Sequence, residues 1–221
     1  MIGLQRLSLE RLSLNEFNGM KEGAEIIEKD HDGDKVLRLK DGSFIKIFRV
    51  KSLISQAWFW PYSMQFARNA EKLIARGVQT VDITGCYRLK GWKETAVHYQ
   101  PLPGKNLRQV FPTLDTHSVK ELTGQLASYY ADLQQKGIYF RSLHLGNILQ
   151  LPDKTLGLID IADMRFSRGP LDTEQRLRNL KHLARYSQDV EYLTQDDTFC
   201  STYAAKTGIE QSRVEQVLQG G

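Results

Sequence analysis

Residues 137–151, GIYFRSLHLGNILQL, constrain the fold more than any other stretch of the chain. Two short apolar runs flank a polar loop that ends on Asn147, and the second run feeds through a turn into LGLIDIADMRF. Short apolar runs bounded by turn chemistry read as buried strands, so the layout is strand, loop, then hairpin. Immediately before it lies the strongest helical period in the sequence. Over residues 117–136, Val119, Leu122, Leu126, Tyr129 and Leu133 recur at intervals of 3, 4, 3 and 4, and Gly137 ends the run.

The N-terminal half reads differently. AEIIEK (24–29), KVLRLK (35–40) and SFIKIF (43–48) are three strands separated by DHDGD and DG, both hairpin-turn chemistry. Residues 62–76 form a helix with Phe66, Ala70, Leu73 and Ile74 on one face and Gly77 as its stop. Two further strands, around TVDITGCYRL and ETAVHYQ, lead to PLPGKNL (101–107), where Pro and Gly mark a boundary between lobes. The near repeat LQRLSL and ERLSL within residues 1–20 fits an amphipathic helix and a pair of alternating strands equally well. After SRGPLD come a basic helix over 173–186 and two short helices to the end.

The expectation is an α+β chain. A small antiparallel-sheet lobe with one helix (1–100) and a hinge (101–107) precede a reduced, mostly helical lobe (108–221). That second lobe holds a loop at 140–147 and a strand end at 156–163.

Composition narrows the class. With 41% hydrophobic and 25% charged residues among 221, the chain is an ordinary globular protein. It has no run of eighteen apolar residues and no secretory pattern at its start, so a reduced, cytoplasmic setting is expected. Cys86 and Cys200 stand far apart without metal-ligand spacing. A net charge of +4 favours an anionic partner. The basic stretches 46–51, 88–93 and 176–181 have no nucleic-acid motif beside them, so a small anionic ligand ranks above nucleic acid.

Several residues carry possible chemistry, each beside a plainer role. Lys46 shares a strand face with Phe44 and Phe48; it either snorkels over an apolar surface or points into a cleft at nucleotide phosphates. Asp160 ends the run LGLI, as a turn residue or as a Mg²⁺ ligand. Asn147 is a turn asparagine or a second oxygen ligand of the metal. The order Lys, helix, hinge, Asn, hairpin and Asp is more telling than any of these residues alone.

With these residues in view, FRSLHLGNIL…LGLIDIAD resembles the HGDLHPGNIL…LIDF signature of small bacterial kinase-like phosphotransferases. It is most similar to that of the lipopolysaccharide core kinase family (Kdo and heptose kinases), including the toluene-tolerance proteins grouped with them. RLRNLKHLARY is similar to the Arg-x-x-Asn-Leu helix that closes those kinases. The resemblance spans roughly residues 22–186. It implies a bilobal protein-kinase-like fold and ATP with Mg²⁺ as cofactors. It also implies an anionic core glycan or lipid-linked sugar as acceptor, at the cytoplasmic face of the inner membrane. Lys46 then matches the nucleotide lysine, and Asn147 and Asp160 the two metal ligands.

The departures are chemical. Ser142 stands where the family has the Asp that accepts the acceptor's proton. A serine hydroxyl is no base at neutral pH, and general-base catalysis is worth about 10²–10⁴ in rate. DHDGD offers one glycine and three acids where a phosphate cover offers backbone N–H groups. Glu71 is the one acid on residues 62–76 that can pair with Lys46, in a register the sequence leaves open. Two residues stand as substitutes for the missing base: Asp163, alternatively a turn cap, and His144, alternatively a packed loop histidine. Only 61 residues follow Asp160, which disfavours a protein substrate. Two functions result. One is a sugar kinase with an atypical loop; the other is a pseudokinase that binds an envelope-biosynthesis partner.

Overall fold

The computed structural model describes residues 8–49, 61–89 and 94–220. Residues 1–7 of the near repeat, and parts of the basic stretches 46–51 and 88–93, lie outside the described residues. The chain divides into two compact units, Met1–Ala75 with Thr80–Leu102, and Arg76–Gln79 with Pro103–Gly221. The α+β class expected from the sequence is the one adopted: the first unit is built on a sheet and the second is mostly helical.

The first unit contains β1 (Leu9–Leu12), α1 (Leu14–Met20), β2 (Glu25–Asp30), β3 (Gly33–Arg38), β4 (Phe44–Arg49) and α2 (Tyr62–Ile74). After the two-residue β5 (Gln79–Thr80), which is not part of this unit's sheet, β6 (Asp82–Leu89) and β7 (Glu94–Gln100) complete it. Six strands form one sheet in the order β1-β6-β7-β4-β3-β2, antiparallel except where β1 runs parallel to β6. Strand alternation in β4 decides what each face buries. Ile45 and Ile47 join Leu37, Leu89, Ala96 and Phe17 of α1 in one apolar cluster. Phe48 meets Phe66 of α2 at 6.0 Å between ring centroids, on the opposite face.

From residue 8 onward, the near repeat forms one strand followed by one helix. Ser13 accepts from the Glu16 N–H while the Glu16 carboxylate accepts from the Ser13 N–H, a reciprocal cap that starts α1 and turns Phe17 inward. Among its described residues the unit therefore has two helices where one was expected. In α2, Phe66, Ala70 and Leu73 are buried, whereas Ile74 is 55% exposed. One residue beyond Leu73 is a 100° rotation, which takes Ile74 off the buried face.

The second unit begins its main run with β8 (Lys105–Asn106), α3 (Leu107–Val110) and α4 (Thr116–Gln135). Next come β9 (Ile138–Phe140), β10 (Ile148–Gln150), β11 (Leu156–Leu158) and β12 (Met164–Phe166). Then follow α5 (Thr173–Leu183), α6 (Ser187–Leu193), α7 (Thr198–Thr207) and α8 (Gln211–Leu218). Three helices follow α5, not two; the Gly208 C-cap of α7, at φ 71°, separates the last pair.

Strands β8, β10 and β11 form one antiparallel sheet, and β9 pairs with β12. Gly137 at φ 71° makes the exit from α4 possible; a Cβ there would lie 2.5 Å from the Gly169 carbonyl oxygen. Among the described residues, no helix is long and apolar enough to cross a membrane.

Candidate functional site

The loop between β9 and β10 is held by both its apolar and its polar residues. Leu143 and Leu145 are buried at 1% and 0% exposure and fix the path of the chain. Ser142, just before Leu143, and His144, between the two leucines, are half-buried. A single 3-10 turn, Leu145–Asn147, then delivers Asn147, whose N–H donates to the His144 carbonyl at 2.9 Å. The Asn147 side-chain amide donates to the Ser142 carbonyl at 2.8 Å, so the two ends of the polar segment are tied together.

Asn147 and Asp160 flank the open end of one hairpin. β10 and β11 pair Ile148 with Leu158, and the Ile159 N–H donates to the Asn147 carbonyl at 3.0 Å. Asp160 follows directly, in the left-handed region at φ 51°. Outside glycine that conformation is uncommon, and strain of this kind concentrates at functional sites.

The residues present fit a hard cation that completes its shell elsewhere. Among the described residues, no group of three or more His, Cys, Asp or Glu could hold a metal alone. An Asn–Asp oxygen pair suits Mg²⁺, which keeps waters and takes its remaining ligands from phosphate oxygens.

His144 and Asp163, the two residues weighed as bases in the sequence, both have partners. The Gly146 N–H donates to His144 Nδ1 at 3.1 Å, which requires a neutral ring carrying its proton on Nε2. Burial first, then the Arg108 charge, hold this imidazole below its ordinary pKa. Nε2 is consequently a donor, and Nδ1 is occupied. Asp163 pairs with Arg141 at 3.5 Å, and its carbonyl accepts from the Arg141 N–H at 3.2 Å.

In the first unit, Lys46 is 8% exposed, between Val36 and Val97 on neighbouring strands. Its ammonium lies 5.7 Å from the Phe66 ring centroid and 5.9 Å from that of Phe48. The expected face-sharing of Lys46 and Phe48 therefore holds. Glu71 is half-buried on α2, and its charge reaches Cys86 of β6. Burial, with Glu71 adding to it, pushes that thiol up to about 12. The acidic turn DHDGD is a tight hairpin corner. Asp30 accepts from the Asp32 N–H at 2.9 Å and from Arg49 at 3.0 Å, and Arg49 also donates to the Asp34 carbonyl at 2.7 Å. Its acids thus serve the turn.

Asp189 and Arg108 carry no sequence signal, yet they hold the loop. Asp189 is fully buried in the first turn of α6; it accepts from Arg108 Nε at 2.7 Å and Nη2 at 3.0 Å, and from the Leu145 N–H at 2.9 Å. The hydrogen bond to Asp189 raises the Arg108 pKa above its ordinary value. Arg108 also lies over the Tyr186 ring at 4.4 Å, and that ring meets the edge of His144 at 5.1 Å. The Arg-x-x-Asn-Leu helix has a physical role too. Asn179 donates to the Phe140 carbonyl at 2.8 Å, where β9 enters the loop, and Arg176 donates to the Leu171 carbonyl at 2.8 Å.

No family model and no curated protein matches the chain. Among solved structures it is similar to a divergent kinase lacking the glycine-rich loop, which regulates membrane ultrastructure of the Toxoplasma parasitophorous vacuole. The two are 19% identical over 83% of this chain and 71% of that one, with a TM-score of 0.49.

Proposed function

We propose that the protein is a divergent kinase-like phosphotransferase. Lys46, seconded by Glu71, serves the nucleotide phosphates of ATP, and Asn147 and Asp160 serve as oxygen ligands for Mg²⁺. The observation that carries this reading is the 3.0 Å backbone bond from the Ile159 N–H to the Asn147 carbonyl, which sets Asn147 and Asp160 at the open end of one hairpin. Bound Mg²⁺ would supply charge neutralisation on phosphoryl oxygens. The chain's own part is positioning: Asn147 braces the Ser142 backbone, and Ser142 offers a hydroxyl that can orient an acceptor alcohol without deprotonating it. Phosphoryl transfer depends mainly on positioning and electrostatics, so a loop of this kind slows the reaction without abolishing it.

On the resemblance of FRSLHLGNIL…LGLIDIAD, the acceptor is an anionic sugar of the lipopolysaccharide core, phosphorylated at the cytoplasmic face of the inner membrane. The test is mass spectrometry of core glycans from cells with and without the gene. Loss of one phosphate without the gene is the expected result, and an unchanged phosphate count contradicts it.

A second reading, a pseudokinase that binds an envelope-biosynthesis partner, draws on a specific observation. His144 Nδ1 is taken by the Gly146 N–H, so this imidazole has no free acceptor nitrogen to serve as a base beside Ser142. Phosphate transfer by purified wild-type protein would remove this second reading.

A further inference from the structure

The loop that carries Ser142 is flanked by cationic groups that the phosphotransferase reading leaves unused. His182 of α5 lies edge-on to Tyr139 of β9 at 5.9 Å, and its Nε2 is 3.3 Å from the Tyr139 hydroxyl. Its Nδ1 accepts from Arg185 Nη2 at 3.4 Å. Arg185 itself is exposed and has no carboxylate partner among the described residues. Arg141, directly after β9, has only the loose pair with Asp163, both side chains being about half exposed at 49% and 48%. Exposed pairs of this kind are worth little and yield readily to a better anion.

The electrostatics agree with the geometry. After burial, the charges of Arg185 and Arg141 lower the His182 pKa against an opposing effect of Asp163; Arg185 also acts on His144 in the loop. Arg108 is already matched by Asp189 and Arg141 is paired only loosely with Asp163, which leaves Arg185 as the arginine beside this loop without a carboxylate partner among the described residues.

We propose that Arg185, with Arg141 and His182 beside it, forms a subsite for a phosphomonoester group carried by the acceptor. Two guanidinium groups match a tetrahedral dianion, and the imidazole beside Arg185 takes up a proton as the negative charge arrives. The subsite rests on the phosphotransferase reading, because it names what the acceptor must carry in addition to the hydroxyl that meets Ser142.

The test is histidine-ring NMR on the full chain titrated with inorganic phosphate, with His182→Gln assigning the resonance. Saturable displacement of the His182 signal and a raised His182 pKa are expected at millimolar phosphate. Arg185→Ala should weaken that response roughly tenfold or more, the usual loss when a charged hydrogen-bond partner is removed. Arg168→Ala, an exposed arginine outside the charges that act on His182, should leave it unchanged. A response reproduced by chloride at matched ionic strength, or retained in Arg185→Ala, overturns the subsite. Binding to phosphatidate vesicles with no response to free phosphate overturns it as well and assigns the surface to a membrane. The readout needs no nucleotide: a failed subsite leaves nucleotide binding standing, and a failed nucleotide site leaves the His182 response standing.

Discussion

Lys46 shows how one residue can be separated into a part for the fold and a part for function. Its stem packs between Val36 and Val97, and its ammonium lies near two phenyl rings. A methionine fills nearly the same space without the charge. Lys46→Met should still unfold in one cooperative urea transition and should lose stabilisation by ATP. A Lys46→Met variant that keeps the ATP-dependent stabilisation would contradict the assignment to phosphates. Much of this was legible in the sequence, because strand alternation alone puts Lys46 and Phe48 on one face. The state of His144 was not. The bond that occupies its Nδ1 comes from Gly146, two residues on, and depends on a backbone path that no spacing reveals.

At the scale of elements, the loop between β9 and β10 is held from three directions. Asn179 on α5 takes the Phe140 carbonyl, Asp189 on α6 takes the Leu145 N–H, and Asn147 closes the loop on itself. Removing Asp189 strands the Arg108 guanidinium and an amide N–H together. Asp189→Ala should cost about 3 kcal/mol, as for a buried pair that loses one partner. For a chain of this size that is a fall of roughly 6–12 °C in Tm, measurable by calorimetry. A cost below about 1 kcal/mol, as for an exposed pair, would show that the loop does not depend on it. Strands β2 to β4 and helices α2 and α4 were legible because period and turn residues agree within each segment. The start of α1 was not, since LSL repeats hide the Ser13–Glu16 cap. Asp189 was not either: its partners lie 44 and 81 positions away in the chain, and nothing local marks it.

For the whole molecule, titration should follow the histidines first. His98, His144 and His182 all have pKa values lowered from 6.5, each chiefly by burial. The unfolded chain therefore binds more protons than the folded one as pH falls through 6.5. Their stabilising contribution is complete above that pH and is lost as pH drops through the depressed folded values. Asp41, Asp115, Asp153 and Asp196 are also lowered, from 3.8, by hydrogen bonds to nearby Ser or Thr residues, so their losses come only at still lower pH. The urea midpoint should accordingly be lower at about pH 5.5 than at about pH 7.5. Equal midpoints would show that these imidazoles are not withdrawn from solvent as described.

The central claim is that Asn147 and Asp160 complete a nucleotide–Mg²⁺ site, and thermal stability measures it most directly. Purified protein is heated with ATP or ADP, with and without Mg²⁺, beside Asp160→Ala. A ligand at about 100 times its Kd adds roughly 2.7 kcal/mol to apparent stability, well within detection. A Mg²⁺-dependent rise in Tm that disappears in Asp160→Ala is the predicted result. No rise at millimolar nucleotide, or an equal rise in the variant, would contradict the claim.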